Sequence, residues 1–197
     1  TVADPKGFIE EGDQAYKDRV AKAADKIISN RDKSPIVLLS GPSGSSKTTT
    51  SMKIAEELNR RGIGTHYIGM DDYFKTIDDN SPRTPEGDLD LESPLCLDME
   101  LMNRHFDMLS KGERIYVPKY EFARRMRSLT PSKSIQLKKD EVVIVEGIHA
   151  FYDARLRAMM DLKLYMHVES DICLLRRIQR DINERGRQID NISSQYI

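Results

Sequence analysis

One eight-residue segment, GPSGSSKT at positions 41–48, constrains the fold of this chain more than any other feature. It follows a short apolar run at 36–39 and precedes a helical pattern at 47–61. Glycines at such a turn let successive backbone N–H groups point inward, and the helix N-terminus adds a dipole that favours anions. Lys47 would reach terminal phosphates, and the Thr48 hydroxyl would bind Mg²⁺. The segment predicts a phosphate-binding loop whose contact residues are Gly41, Ser43, Gly44, Ser45, Ser46, Lys47, Thr48 and Thr49.

The loop departs from the usual pattern at one position. The pattern GxxxxGK[ST] has glycine before the lysine, and this chain has Ser46 there. The Cβ of Ser46 lies where the backbone and a phosphate approach closely, and a positive φ is unfavourable for serine. A serine- and glycine-rich turn that does not bind phosphate is therefore the alternative interpretation.

Apolar runs alternate with helical patterns along the rest of the chain. Buried strands are predicted at 36–39, 65–70, 142–145 and 162–168, and helices at 47–61, 98–109, 153–160 and from 171 onward. A long loop is predicted at 75–94, and short strands at 114–118 and 134–137 form a small β excursion. This alternation predicts an α/β fold: a doubly wound parallel sheet with helices on both faces. We expect an amphipathic helix and linker at 1–34 and one domain at 35–197.

The composition excludes several classes of protein. The chain has 197 residues, with 31 Lys and Arg against 32 Asp and Glu, and 39% hydrophobic residues, which suffices for a packed core. Its pI of about 6.4 argues against a nucleic-acid partner. No apolar run approaches the roughly 18 residues of a membrane helix, and Thr1 begins no signal-peptide pattern, so no membrane partner is expected. Two cysteines make no disulfide framework, and we expect a reducing, cytoplasmic location.

Acidic residues follow two of the predicted strands. Asp71 and Asp72 come after the second strand, and Glu146 comes after the third. Ligands of such sheets bind outside the carboxyl ends of the strands, where the phosphate loop also lies. A carboxylate at the second strand end would accept a proton from a substrate hydroxyl, and one at the third would hold Mg²⁺ or its water shell. Taken singly, each of these carboxylates is explained equally well as a helix cap or a surface residue. Because they follow strands that end at the same edge of the sheet as the phosphate loop, a functional role is favoured.

The predicted helix from 171 onward is rich in arginine. Arg177 and Arg180 share one face, and Arg185 and Arg187 flank a glycine. Arginine supplies bidentate donors and stabilises transition-state charge, so this cluster is typical of a lid that clamps a transferring phosphate. A solvated charged helix is the alternative interpretation.

Several segments follow one another in a recognisable order. They are the phosphate loop, IGMDDYF at 68–74, DLDLESPLCLD at 88–98, GERIYVPKYEF at 112–122, VVIVEGIHAFYD at 142–153, RRIQRDINERGR at 176–187 and SSQYI at 193–197. Over about residues 36–197 the chain thus resembles the phosphoribulokinase/uridine kinase family. The resemblance implies a P-loop kinase fold with a small β excursion over the substrate site. It also implies ATP and Mg²⁺ as cofactors and transfer of the γ-phosphoryl group to the 5′-hydroxyl of a nucleoside such as uridine. Self-association is a further expectation from the resemblance.

The resemblance also implies roles for individual residues. Asp71 matches the family's base, which takes the proton from the 5′-hydroxyl, and Glu146 matches a Mg²⁺-associated glutamate. The implied catalytic residues are Asp71, Lys47, Arg180 and Arg185, and the implied metal residues are Thr48 and Glu146. Arg187 joins the loop residues in binding the nucleotide. The implied substrate residues are Asp71, Tyr73, Glu92, Tyr120, Phe122, Arg125, Arg177 and Gln195.

This chain departs from the family pattern at several points. Ser46 replaces a glycine, and Arg125 stands where a base-reading histidine is typical. The chain stops just after Gln195 and Tyr196, so we expect it to lack the family's C-terminal end. Two alternatives stay open. One is a related kinase for another small alcohol, such as a ribulose phosphate- or pantothenate-like compound, which Arg125 favours; the other is a non-catalytic nucleotide-binding protein.

Overall fold

The computed structural model describes residues 4–85, 87–185, 189 and 192, apart from the side chains of residues 184 and 185. Its helices are α1 Pro5–Asn30, α2 Lys47–Arg60, α3 Met99–Ser110, α4 Ala154–Met159 and α5 Ser170–Arg185. Its strands are β1 Ile36–Ser40, β2 Gly64–Gly69, β3 Ile115–Val117, β4 Tyr120–Glu121, β5 Met126–Arg127, β6 Lys133–Ile135, β7 Glu141–Glu146 and β8 Leu162–Tyr165. Short 3₁₀ turns lie at Met70–Tyr73, Pro94–Cys96 and Phe122–Arg124.

The central sheet has the strand order β2-β7-β1-β8, and each neighbouring pair is parallel. All five residues of β1 are buried, as a strand covered on both faces requires. The predicted doubly wound sheet is therefore confirmed. The last strand is shorter than predicted: β8 ends at Tyr165 rather than at Val168. Tyr165 pairs with Ser40, where β1 ends and the loop begins, and the hydrogen bond from the Met166 N–H to the Ser40 carbonyl oxygen follows this last pair.

Helices cover both faces of this sheet. On one face α1 and α2 pack against Val37 and Leu39 of β1, and α1 contributes Val20, Ala24 and Ile27 to this core. The opposite face of β1 packs in a second core that α3 and α4 complete with the side chains of Met102, Phe106, Leu109 and Leu156. The two cores cover the two faces of the sheet, and the phosphate loop and the turn at Met70–Tyr73 lie at the carboxyl ends of its strands.

The small excursion consists of two antiparallel pairs, β3 with β6 and β4 with β5. The first pair confirms the predicted short strands, although β6 begins one residue earlier and ends two residues earlier. The second pair has strands of two residues, which are too short to leave a periodic pattern in the sequence. Strand β4 contacts the turn that follows β2, so the excursion borders the carboxyl end of that strand.

Both cysteines of the chain are free thiols within the core. Cys96 lies in the 3₁₀ turn before α3, and Cys173 lies in the first turns of α5. Across the described ranges, no helix combines the length and apolar character needed to cross a bilayer.

Candidate active site

The loop between β1 and α2 has the backbone of an anion cradle. Gly44 has a φ of 83°, and a Cβ there would collide with the carbonyl oxygen of Cys173, so glycine is required. The amide groups in the first turn of α2 have no acceptor within the helix and are available to an anion ahead of it. The Lys47 side chain is buried, and its Nζ donates to the carbonyl oxygen of Pro42 at 2.8 Å.

Ser46 has a left-handed backbone conformation, with φ 64° and ψ 31°, immediately before α2. This conformation costs about 1–2 kcal/mol for a residue that carries a Cβ. Its Oγ accepts a hydrogen bond from Arg176 Nη1 at 3.3 Å, which links the loop to α5. The serine therefore occupies a positive-φ position that suits glycine.

We expect Ser46→Gly to tighten the binding of Mg²⁺-ATP or to raise turnover, because glycine holds the same conformation without the penalty of a Cβ. Isothermal titration with Mg²⁺-ATP measures the first effect. Ser46→Ala is the matched control: it also loses the hydroxyl that Arg176 contacts, but it keeps the Cβ, and it should not tighten binding. Unchanged or weaker affinity in Ser46→Gly would show that this loop has accommodated the serine.

The ends of three strands bring functional groups together beside the loop. Leu39 of β1 and Gly69 of β2 both lie opposite Glu146, the last residue of β7. Thr48 Oγ1 donates to Glu146 Oε2 at 2.9 Å, and the Tyr67 hydroxyl donates to the same oxygen at 2.8 Å. The two residues predicted to serve a metal are thus in direct contact.

Electrostatic effects tie these groups into one site. Burial lowers the pKa of Lys47, and the carboxylates of Glu146 and Asp71 oppose this shift. Arg180 adds to the lowering, so its guanidinium also lies near the lysine. Burial and the charge of Glu146 raise the pKa of Tyr67, so its hydroxyl remains a protonated donor at neutral pH. Lysine, arginine and two carboxylates therefore act on each other at one end of the sheet.

The three residues after Met70 have different surroundings. Asp71 is exposed, and its charge reaches Lys47. Burial raises the pKa of Asp72, and a hydrogen bond from the backbone of Tyr120 opposes that shift. Tyr73 is fully buried, and its hydroxyl is hydrogen-bonded to His105 Nδ1 at 2.9 Å. Tyr73 is therefore a core residue of this structure, and its place among the substrate residues stays a prediction from the resemblance.

Two arginines of α5 connect the loop to the predicted substrate segment. Arg180 donates from Nη2 to Ser43 Oγ at 3.3 Å and from Nε to Asp181 Oδ1 at 2.8 Å. Arg177 is buried and forms an ion pair with Glu92 Oε1 at 2.9 Å. The fully buried Asp181 lies 3.8 Å from Arg177 as well, so it shares its charge with both arginines. This face of α5 is packed rather than solvated.

Three predicted site residues fall outside this description. They are the side chain of Arg185, and Arg187 and Gln195. Their roles, catalytic for Arg185, nucleotide-binding for Arg187 and substrate-binding for Gln195, stay predictions from the resemblance.

Three aromatic side chains form a cluster beside the excursion. The ring centroid of Tyr120 lies 5.2 Å from that of Phe74 and 5.0 Å from that of Phe122. Phe122 is exposed, whereas Tyr120 is buried and its hydroxyl has no hydrogen-bond partner among the described residues. Arg125 follows with a positive φ of 51°; its side chain is exposed and makes no hydrogen bond or ion pair to another described residue. An exposed ring and an exposed cation therefore lie near each other.

Sequence reasoning missed two residues that support the site. Arg127 pairs with Asp98 Oδ2 at 3.0 Å and donates to the carbonyl oxygen of Tyr73 at 3.1 Å, which fastens the excursion to the turn after β2. Tyr67 is the second, through its contact with Glu146. In the sequence, each of these two residues is simply an arginine or a tyrosine near a motif. Such a position does not identify the distant residue that its side chain contacts.

The donor set suits a Mg²⁺–nucleotide complex. A threonine hydroxyl and a carboxylate lie side by side, and Mg²⁺ prefers oxygen ligands. Within the part of the chain that is described, no three His, Cys, Asp or Glu side chains form a metal-binding group. Mg²⁺ is commonly bound by one or two carboxylates together with substrate phosphates and waters, and the adjacent Thr48 and Glu146 fit this pattern.

A parallel α/β sheet with a lysine-bearing anion loop after its first strand, and acidic residues at the next strand ends, defines a P-loop kinase. A sequence profile of the phosphoribulokinase/uridine kinase family matches residues 36–197. The chain therefore belongs to that family, as the resemblance predicted, and it is an enzyme of the kinase class.

Individual relatives agree with this assignment. The uridine kinase of Limosilactobacillus reuteri is 34% identical over 168 residues, which cover 85% of this chain and 74% of that protein. The uridine kinase of Pectobacterium atrosepticum is 36% identical over 166 residues, covering 82% and 75%. The structure of D-glycerate 3-kinase from Cryptococcus neoformans shares the fold, with a TM-score of 0.58 at 16% identity over 90% of this chain and 84% of that one.

Proposed function

We propose that this chain transfers the γ-phosphoryl group of ATP, bound with Mg²⁺, to the 5′-hydroxyl of a nucleoside, with uridine as the preferred acceptor. The observation that carries the proposal is that the loop residue Thr48 contacts Glu146 at the end of β7, while the charges of Glu146 and Asp71 act on the buried Lys47 beside it. Family membership supports phosphoryl transfer, and the two relatives above, each more than 30% identical, are named uridine kinases.

The chain's own groups supply the positioning and charge that phosphoryl transfer requires. Lys47 and the first amide groups of α2 bind the phosphates of the donor. Arg180, held against the loop by Ser43, stabilises negative charge on the transferring phosphoryl oxygens. Thr48 and Glu146 would hold Mg²⁺, which when bound neutralises phosphate charge.

Asp71 is the proton acceptor in this proposal. As the acceptor hydroxyl oxygen bonds to the γ-phosphorus, the bond from that phosphorus to the β–γ bridging oxygen breaks and ADP leaves. The hydroxyl proton passes to the Asp71 carboxylate, which is exposed and therefore accessible to a substrate alcohol.

The acceptor site is supported by an aromatic and an acidic group. The exposed ring of Phe122 and the neighbouring ring of Tyr120 offer a surface for a flat base. Arg177 holds one oxygen of Glu92 while 39% of the glutamate side chain remains exposed. An oriented carboxylate accepts hydrogen bonds from ribose hydroxyls, so Glu92 would read the sugar.

Release of ADP from Mg²⁺-ATP in the presence of a panel of alcohols tests the proposal. The panel contains uridine, cytidine, ribulose phosphate, pantothenate and plain sugars, each with a no-acceptor control. Uridine-dependent release supports a nucleoside kinase. If the protein binds ATP but releases no ADP with any acceptor of the panel, the proposal is contradicted and the non-catalytic alternative is favoured.

We expect uridine to be preferred over cytidine by about tenfold, with Arg125 as the cause. Arginine offers only donors, which match O4 of uracil but face the 4-amino donor of cytosine unpaired. A hydrogen-bond donor left unpaired when the base covers it costs about 1–3 kcal/mol. Since 1.4 kcal/mol corresponds to about tenfold, this cost accounts for a preference of that size. The measurement is kcat/KM for both nucleosides.

Arg125→His should narrow this preference. Arg124→His is the matched control, because Arg124 is also exposed but already pairs with Glu121 at 3.2 Å. Equal kcat/KM for the two nucleosides in the parent protein would refute a base-reading role for Arg125.

The same arginine favours the second candidate, a related kinase whose small alcohol carries a phosphate or carboxylate. Arg125 is exposed without an ion pair to a described residue, and the charges of Lys133 and Lys119 reach Asp72 nearby. Three cations beside the acceptor site would attract an anionic alcohol. Release of ADP with ribulose phosphate or pantothenate, and not with uridine, would select this candidate.

We also propose a cytoplasmic location. Cys96 and Cys173 are both free thiols, and free thiols persist in a reducing compartment. Retention of both thiols in protein isolated under native conditions and titrated with a thiol reagent after unfolding would agree with it.

A further inference from the structure

Tyr67 reaches Glu146 from the neighbouring strand of the sheet. The register pairs Gly69 with Glu146 and Tyr67 with Ile144. Residues two apart in a strand lie on one face, so Tyr67 stands diagonally across from the glutamate on that face. Its hydroxyl donates to Oε2 at 2.8 Å. The transfer described above assigns no task to this tyrosine.

The packing around Tyr67 holds the hydroxyl in this place. A Cβ at Gly69 would lie 3.3 Å from the Tyr67 hydroxyl oxygen, which is tighter than ordinary contact, so the glycine provides the space. Lys133 lies over the tyrosine ring, 5.5 Å from Nζ to the centroid, and also donates to the Tyr67 carbonyl oxygen. These contacts hold the ring and the hydroxyl of Tyr67 in place.

Glu146 is consequently held at one oxygen by two hydroxyl donors. Thr48 Oγ1 and the Tyr67 hydroxyl both bind Oε2, which orients the whole carboxylate beside the loop. Groups that hydrogen-bond to the residues of a metal site orient them, and their loss commonly weakens metal affinity by about 10–100-fold. We infer that Tyr67 is a positioning residue for the magnesium site, holding Glu146 in the orientation in which it and Thr48 serve one ion. This inference rests on the proposed function.

Nucleotide binding across a Mg²⁺ titration tests it without relying on turnover. The affinity for a fluorescent ATP analogue is measured as Mg²⁺ is added, and the midpoint is the Mg²⁺ concentration at which half of the gain in affinity is reached. In Tyr67→Phe this midpoint should rise by about tenfold or more. Affinity for the same analogue in EDTA should stay unchanged, since the phosphate loop is intact. Gly69→Ala keeps the hydroxyl but crowds it, and it should shift the titration in the same direction. It also carries the test if Tyr67→Phe does not fold.

Tyr16→Phe is the matched control. It removes a partly buried tyrosine hydroxyl that contacts Thr50 Oγ1 on α2 at 3.0 Å, away from Glu146. Its Mg²⁺ titration should follow that of the parent protein. An unchanged midpoint in Tyr67→Phe, an equal shift in Tyr16→Phe, or loss of affinity already in EDTA would each overturn the inference. If neither ATP binding nor turnover of the parent protein depended on Mg²⁺, that result would overturn the proposed function as well.

Discussion

Replacing Lys47 with alanine is expected to lower phosphoryl transfer by about 10²–10³-fold while the fold stays intact. The lysine is buried, and burial lowers the pKa of its ammonium group against the opposing charges of Glu146 and Asp71. The ammonium group donates to the Pro42 carbonyl, an acceptor that donor phosphates would replace. Removing it deletes a positive charge where negative charge develops, and ADP release at saturating Mg²⁺-ATP measures the loss.

Lys53→Ala is the control for this result. Lys53 lies on the same helix but is exposed and pairs with Glu56 at 2.9 Å, so its removal should leave turnover near that of the parent. Thermal unfolding of both variants checks the fold. Near-normal turnover of Lys47→Ala would mean that the loop is not the phosphate site.

The sheet and the loop could be predicted because each depends on a local pattern. The apolar run of β1 is buried on both faces, and the order strand, loop, helix alone places Lys47 at the start of α2, just after the phosphate loop. Helix α3 could likewise be predicted, because the sequence has a capping residue before the helix and a glycine after it. Asp98 Oδ1 accepts from the N–H of Leu101 at 3.0 Å, and Gly112 has a φ of 74° just after the helix. Such signals act over a few residues.

Contacts between distant segments could not be predicted. Tyr73 follows the acidic pair in sequence, yet the 3₁₀ turn directs its ring into the core beside His105. Tyr67 meets Glu146 only because β2 and β7 pair in one register, which depends on the whole sheet. The departure at Ser46 was evident, but its contact with Arg176 depends on how α5 packs on the loop.

Asp71 and Asp72 are adjacent carboxylates that the structure separates by environment. The charge of Asp71 acts on Lys47 and on Tyr67, which places it on the side of the phosphate loop. Asp72 is half-buried on the side of the excursion, where Tyr120 and Lys133 act on it. Asp71 is therefore the carboxylate of this pair whose charge acts on Lys47, the residue that would bind the donor phosphates.

We expect Asp71→Asn to lower kcat by about 10²–10⁴-fold, because an amide cannot take the proton of the acceptor hydroxyl in the transition state. ATP affinity should change little, since the base acts after the donor is bound. Asp72→Asn is the matched control: it keeps a hydrogen-bond acceptor for the Tyr120 backbone and removes a carboxylate whose pKa burial already raises, so kcat should stay near the parent value. Steady-state ADP release gives kcat, and titration gives ATP affinity. If Asp72→Asn proved the more damaging substitution, the base would be the second carboxylate, and the match of this segment to the family would shift by one residue.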